Sequence, residues 1–319
     1  MSHLQNIPLV VIAGPTAVGK TNLSIHLALE MKGEIINGDS IQVYRHLDIG
    51  SGKVTETEKA GVPHHLLDII DVNDEYDANR FKKEATCLIQ EIWSRGKLPI
   101  IVGGTGLYLE GLLYNLEFGG TSSSQPVIRK KLEARALEIG EIALWNELKS
   151  IDPEAANNIP YQNVRRTIRA LEVIEATGVL FSEQKSHQKQ ESNFNECLIV
   201  LDRPRLELYD RINSRVIQMS KDGLEQEARW LFETSQGQNL PSMKGIGYKE
   251  WWPYFEGVST RDEVITQIQQ NSRRYAKRQL TWFRNRFKRI HWIDNSDERL
   301  ALNSVLSLVK QHVMNNEKD

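Results

Sequence analysis

Short β-branched runs and amphipathic stretches alternate along the first third of the chain. Leu9 to Ala13, Glu34 to Asn37 and Pro99 to Val102 predict strands, and the pattern returns at Leu198 to Leu201 and at His291 to Ile293. Asp77 to Arg95 carries Phe81, Ala85, Leu88 and Ile92 at spacings of four, three and four, which predicts a helix with one buried face. Strands alternating with helices imply an α/β fold: a mostly parallel sheet with helices on both faces and ligands at the carboxyl ends of its strands.

The alternation stops near Tyr114. A turn-rich connector from Glu117 to Pro126 and a polar stretch from Ser182 to Asn193 bracket a region that reads as helix, from Val127 to Leu148 and from Asn163 to Glu175, the latter ending at Gly178. The expected architecture is an all-helical insertion on an α/β core. Residues 1–113 open the core, 114–195 form the insertion and 196–319 return to the core. A linear two-domain chain is the competing layout, and the strand Leu198 to Leu201 argues against it.

Composition narrows the class. The 319 residues, 40% of them hydrophobic, suffice for a substantial core. No basic-then-apolar leader is present, nor any stretch near the roughly 20 apolar residues that span a bilayer, so the expected setting is the cytoplasm. Cys87 and Cys197 lie too far apart for a metal-ligand pair; they exclude a zinc module and are expected to be buried, reduced thiols. The formal net charge of -2 hides an asymmetry. Eight basic and no acidic residues lie between Arg273 and Arg289, which leaves about -10 on the rest of the chain. A cluster of that kind calls for an anionic partner.

Residues 14 to 21 read Gly-Pro-Thr-Ala-Val-Gly-Lys-Thr, after a predicted strand and before the helix-like Asn22 to Met31. This is a complete phosphate-binding loop of the kind found in ATP-binding proteins. Gly14 and Gly19 let the backbone curl so that amides point inward. The helix near Lys20 adds its positive end, Lys20 a mobile charge and Thr21 a hydroxyl for magnesium.

Other candidates follow the predicted strands. Asp39, just after the second strand, would be repelled by a bound diphosphate unless it binds magnesium or takes a proton from an acceptor; a helix-cap or turn role is the plainer alternative. Gly103-Gly-Thr-Gly-Leu-Tyr108 permits close backbone approach and offers the Thr105 hydroxyl, although a tight strand-to-helix turn explains its glycines equally well. Asp202 has the form of a strand-end magnesium carboxylate, or of a simple turn residue before Arg203-Pro204. Gly245 to Glu250 reads as a structural loop, and His64 and His65 lack the spacing of a metal pair. In the basic segment, Ala276, Leu280, Phe283 and Phe287 form a core-facing stripe, with Arg273, Lys277, Arg284 and Lys288 beside it. Contact with a phosphate backbone fits those cations better than a solvated face does.

Seven segments occur together and in order: Gly14 to Thr21, Asn37 to Tyr44, Gly61 to Asp68, Ile101 to Leu109, Arg169 to Val173, Gly245 to Glu250 and Lys277 to Arg284. With them the chain resembles the tRNA dimethylallyltransferases, also called tRNA isopentenyltransferases, of bacterial type, from about Leu9 to His291.

The resemblance implies a P-loop NTPase-like core and transfer of the dimethylallyl group from dimethylallyl diphosphate to the exocyclic amine of the adenine 3′-adjacent to the anticodon. The tRNAs would be those reading codons that begin with U, diphosphate would be released, and the protein would work as a monomer. Gly14, Pro15, Thr16, Ala17, Val18, Gly19, Lys20 and Thr21 would then hold a prenyl diphosphate rather than ATP, with Thr21 on magnesium. Asp39 would be the general base, with Thr105 and Lys20 as its catalytic partners. Asp39, Ser40, Ile41, Gln42, Thr105 and Arg129 would meet tRNA near the reaction centre. Two further segments match the family's tRNA-contacting stretches: Arg165, Arg166, Thr167, Ile168 and Arg169, and then Lys277, Arg278, Gln279, Leu280, Thr281, Trp282, Phe283 and Arg284. The inserted helices would grip the anticodon stem. The placing of Arg129 depends on the segment between Leu116 and Pro126, which departs from the family pattern. Two other classes compete. A small-molecule P-loop kinase or ATPase leaves the basic helix unexplained, and a nucleotide-dependent RNA-binding module gives Asp39 and Thr105 no role.

Overall fold

The computed structural model describes residues 4, 7–116, 126–183, 192–238 and 240–316. The element order is β1 (Pro8–Ala13), α1 (Lys20–Met31), β2 (Gly33–Asn37), α2 (Glu56–Lys59), β3 (His64–His65), α3 (Ala78–Ser94), β4 (Leu98–Gly103) and α4 (Gly106–Leu113). Next come α5 (Pro126–Ile139), α6 (Glu141–Ile151), α7 (Pro153–Asn158), α8 (Val164–Thr177), β5 (Asn195–Asp202), α9 (Arg205–Asp222) and α10 (Leu224–Ser235). Two 3-10 turns (Pro241–Lys244 and Lys249–Trp251) precede α11 (Trp252–Phe255), α12 (Arg261–Arg286), β6 (His291–Asp294) and α13 (Glu298–Asn316).

The chain forms two compact units. One holds residues 1–113 and 192–319, the other residues 114–191. In the first, six strands pair in the order β3-β2-β4-β1-β5-β6, and every pairing is parallel. All residues of β1 and β2 are buried, as expected for parallel strands covered on both faces. The chain leaves β1 toward β2 on one side, and the connection out of β4 returns to β5 on the other. The loops after β1 and β4 therefore diverge from adjacent strands, and a crevice opens at their carboxyl ends.

α3 shows how the sequence selects its element. Asp77 caps it by accepting from the Arg80 amide at 2.8 Å, and Ala78, Phe81, Ala85, Ile89 and Ile92 are buried. The expected stripe is corrected at one position: Ile89 rather than Leu88 turns inward, because Ala78 and Ala85 shift the centre of the buried arc toward it. Cys87, on the opposite face, is exposed, whereas Cys197 in β5 is buried. The expected burial thus holds for one thiol of the two.

In the second unit, Leu132, Leu144, Leu148, Ala156, Ile159 and Ile168 belong to a separate apolar cluster. The single helix expected from Val127 to Leu148 is two, because Gly140 adopts φ 83° and turns the chain between α5 and α6. α8 is capped by Asn163 and ends at Gly178 with φ 70°. Most of the two connectors bracketing this region lies outside the described residues. Among the described residues no helix is long and apolar enough to cross a membrane.

Candidate functional site

A cavity of about 980 Å³ occupies the crevice of the first unit. Thr16, Lys20 and Thr21 line it from the first loop, Asp39 to Gln42 from the loop after β2, and Gly103 from the end of β4. Arg211, Arg215, Tyr275 and Gln279 contribute from α9 and α12.

The loop after β1 is shaped by contacts spread along the whole chain. Gly14 and Gly19 take φ of 144° and 101°, and a Cβ at Gly14 would stand 2.7 Å from the Leu201 carbonyl oxygen. Only glycine meets both demands. Outside the loop, Arg203 Nε donates to the Val18 carbonyl at 3.2 Å and Asn295 Nδ2 to the same oxygen at 2.8 Å. Arg203 is buried and paired with Glu298 at 2.8 Å, which fixes its direction. Arg211 Nε donates to the Ala17 carbonyl at 3.0 Å. Sequence patterning had no means of finding these supports, because they come from the residues that follow β5 and β6 and from α9.

Lys20 Nζ donates to the carbonyls of Gly14 (3.1 Å) and Pro15 (2.8 Å), and the side chain is half-buried on the cavity wall. Burial pulls its pKa down to about 8, against the opposing pull of the Asp39 carboxylate. Arg215, absent from the sequence-derived candidates, lines the same cavity and is half-buried. Desolvation lowers its pKa, while the charges of Asp39 and Glu58 act the other way. A Cβ on Gly52 would run into its guanidinium, so the small residue makes room for the cation. The signal available in the sequence was Arg211 and Arg215 one helical turn apart on α9.

Asp39 stands in a local turn. Its amide donates to Asn37 Oδ1 at 3.0 Å, and its Oδ1 accepts from the Ile41 amide at 2.8 Å. The turn role weighed from sequence therefore exists, yet it occupies one carboxylate oxygen and leaves Asp39 on the cavity wall. Thr105 Oγ1 accepts from the Ser40 amide at 3.1 Å, joining the loops after β2 and β4. Tyr275 lies beside Thr105 and Gln279; burial first, and the Asp39 charge second, push its phenol pKa up.

Other candidates fall elsewhere. Asp202 does not line this cavity. Its Oδ2 pairs with Arg284 at 3.2 Å beside a smaller pocket of about 320 Å³. The Gly245 to Glu250 loop, expected to be structural, contributes Gly245, Ile246, Gly247 and Lys249 to the main cavity wall. His65 Nε2 lies 2.7 Å from Glu34 Oε2, and His64 Nδ1 lies 2.8 Å from the Val62 carbonyl oxygen, so both are satisfied polar residues. No cluster of three or more His, Cys, Asp or Glu side chains suited to a metal occurs among the described residues.

The basic segment forms the second half of α12 and the turn after it. Ala276 and Phe283 are buried as expected, and Gln279, not Leu280, is the buried residue between them. The charge excess is partly balanced in space, since Arg284 meets Asp202 and Arg286 approaches Glu110 at 3.8 Å; Arg273 Nη1 donates to the neutral Asn213 Oδ1. Lys277, Arg278 and Thr281 are exposed, while Trp282 is half-buried.

Arg129, Arg165, Arg166, Thr167, Ile168 and Arg169 belong to the second unit. Arg129 (2.7 Å) and Arg169 (3.0 Å) both pair with the buried Glu172 and hold its carboxyl below the usual range against desolvation. Thr167 and Ile168 are buried, Ile168 in the unit's apolar cluster, and Arg165 is exposed.

A family model described as IPP transferase matches residues 42–286. The tRNA dimethylallyltransferase of Lactiplantibacillus plantarum is 51% identical over 313 residues, covering 94% of this chain and 99% of the relative. That of Enterococcus faecalis is 50% identical over 284 residues, covering 89% and 90%. A crystal structure of the full-length tRNA isopentenylpyrophosphate transferase from Bacillus halodurans superimposes with a TM-score of 0.73 at 43% identity, covering 98% of both chains. A eukaryotic dimethylallyltransferase captured acting on tRNA gives 0.84 at 30% identity, covering 97% of this chain and 80% of that one. With a family match of that extent and relatives of that identity over nearly the full length, the chain belongs to the IPP transferase family, with the bacterial tRNA dimethylallyltransferases.

Proposed function

We propose that the chain moves the dimethylallyl group of dimethylallyl diphosphate onto the exocyclic amine of the adenine 3′-adjacent to the anticodon, in tRNAs reading codons that begin with U, and releases diphosphate. The observation that carries this reading is one cavity lined by Lys20 and Arg215 and, close enough to affect both cations, by the Asp39 carboxylate. Cations and inward amides suit a diphosphate leaving group, whose departure is eased when its oxygens are neutralised. Asp39 suits the proton lost from a weakly nucleophilic amine as the bond to carbon forms.

The loop after β1 acts as a P-loop for a prenyl diphosphate: Ala17 to Gly19 offer amides, and Lys20 turns from the loop carbonyls to the phosphates. Ile212, Val216 and Met219, on one face of α9 and lining the cavity, suit the five-carbon chain. Ser40, Ile41, Gln42 and Thr105 border the adenine, while Lys277, Arg278 and Thr281 meet the backbone of the anticodon arm. Arg129, Arg165, Arg166 and Arg169 serve the same polynucleotide from the helical unit. A base in a single-stranded loop can be drawn into such a cavity at modest cost.

Magnesium fits this donor set. Mg²⁺ takes few protein ligands alongside phosphate oxygens and water, and the exposed Thr21 hydroxyl at the start of α1 lines the diphosphate end of the cavity. When bound it would neutralise diphosphate oxygens.

The test is transfer of label from dimethylallyl diphosphate to undermodified tRNA with adenines flanking the target position, in the presence of magnesium. Label is expected in tRNA with release of diphosphate. Absence of label accompanied by ATP hydrolysis would return the chain to the kinase class.

A further inference from the structure

The wall that α12 gives the cavity is mixed: Arg278 reaches it from the basic face, and Ile268, Ser272, Tyr275 and Gln279 complete it. Gln279 sits there, 5% exposed, with both ends of its amide committed. Its Oε1 accepts from the Thr16 amide at 3.0 Å, and its Nε2 donates to the Gly104 carbonyl at 2.8 Å. The two partners lie 263 and 175 residues away in sequence, one in each of the loops that diverge from β1 and β4. Neighbouring turns of the helix reinforce the contact. Tyr275 lies beside Thr105, and Trp282 fills the space a Cβ on Gly106 would need.

From this arrangement we infer that Gln279 is a positioning residue: it latches the loop that takes the diphosphate to the loop that carries Thr105, and it makes no contact with tRNA itself. The inference rests on the function proposed above and reassigns one residue of the segment matched to tRNA contact. The physical case is one of commitment. An amide with one donor and one acceptor site on backbone groups, Tyr275 hydrogen-bonded beside it and almost no exposed surface has little left to offer a base or a phosphate. Releasing it would leave the Thr16 amide and the Gly104 carbonyl unpaired in a largely closed environment. The latch also fixes which Thr16 surface is available. Its amide is held toward α12, so the phosphates are left to the amides of the later loop residues and to Lys20. Thr105 in turn holds the Ser40 amide, next to Asp39, so the latch bears on the distance between leaving group and base, and misplacements of about 1 Å can cost on the order of a hundredfold in rate.

Gln279→Leu keeps the approximate volume and removes both hydrogen bonds. Wild-type and variant proteins are compared by steady-state kinetics with dimethylallyl diphosphate, by inhibition with inorganic diphosphate, and by tRNA binding as a function of salt. The expected result is a rise of roughly tenfold in KM for the prenyl donor and in the diphosphate inhibition constant, with kcat also reduced. The tRNA Kd and its salt slope should stay within about twofold of wild type. Weakened tRNA binding with unchanged diphosphate constants would overturn the latch and return Gln279 to the tRNA surface.

Gly104→Ala tests the same contact from the other side, because its Cβ would push directly on Gln279 Nε2 while Gln279 itself is retained. The same split between diphosphate and tRNA constants is expected. Wild-type-like constants in that variant would overturn the proposal even if Gln279→Leu failed to fold. An inactive wild-type protein, by contrast, would count against the proposed reaction.

Discussion

The Gly50 amide donates to Glu227 at 2.8 Å across a sequence separation of 177 residues. The other carboxylate oxygen of Glu227 takes the amides of Asp48 and Ile49, each at 2.8 Å, and the Tyr248 hydroxyl donates to the first at 2.9 Å. One side chain of α10 thereby fixes the strip that supplies Gly50, Ser51 and Gly52 to the cavity. Gln42 Nε2 donates to the Ser51 carbonyl at 3.2 Å, and Gly52 abuts Arg215, so the strip's position is passed on to two cavity residues. Glu227→Gln replaces an acceptor-only carboxylate with an amide that must turn a donor toward backbone N–H groups. A stability loss of about 2 kcal/mol in urea unfolding is expected, with a raised KM for the prenyl donor. Unaltered unfolding would show that the amides find other acceptors.

Asp39→Asn preserves the local turn, because the Asn side-chain oxygen can still accept from the Ile41 amide. Folding and tRNA affinity should therefore remain close to wild type, while transfer falls on the order of a hundredfold or more through loss of proton acceptance. Single-turnover transfer measured beside a tRNA binding isotherm separates the two; undiminished transfer would remove Asp39 as the base.

Lys20 supplies a pH dependence. In the ligand-free protein burial lowers its pKa to about 8, and a bound diphosphate, being anionic, favours the protonated form. Binding therefore takes up a proton above pH 8, so affinity for the diphosphate should be flat below that value. Above it, affinity should fall by up to about tenfold per unit. Lys20→Arg does not titrate in this range and should flatten the profile, as calorimetric titration with inorganic diphosphate between pH 7 and 10 would reveal.

Lys277 is exposed on α12 and lines the smaller pocket with Arg284, whereas Arg278, also exposed, reaches the wall of the main cavity. Replacing Lys277 by Gln should weaken tRNA binding evenly across tRNA sequences and reduce the magnitude of the salt slope by about 1. Diphosphate inhibition constants should not change. An unaltered slope in filter binding would mark this cation as part of a solvated face.

Arg284 is a less clean probe of that face, because its substitution also leaves Asp202 without its partner. Such coupling marks the boundary between local and tertiary information. The strands at Leu9, Pro99 and Leu198, the capped helix at Asp77, the phosphate-type loop at 14 to 21 and the basic stretch were legible in sequence. Each is declared by a local rule: β-branched runs, a 3.6-residue period, glycines flanking a Lys-Thr pair, or a block of one charge. Ile89 in place of Leu88 and the break at Gly140 are refinements within that same local information.

Pairings between distant segments were not legible, because they depend on which loops the sheet order brings together. Periodicity does not state that β4 sits between β2 and β1, yet that order brings Thr105 to Ser40 and Gly104 to Gln279. Residue type alone could not reveal that Arg215 shares the cavity wall with Lys20, that Arg203 and Asn295 brace Val18 from behind, or that Glu227 gathers three amides. A carboxylate or guanidinium gains a role only when burial removes its water and a fixed partner replaces it. By itself the sequence determined that a phosphate-type loop, an acid after the second strand and a basic helix coexist in one α/β chain. The tertiary structure decided which cations share the cavity with the acid, and which residue of the basic helix turns inward to hold the loops.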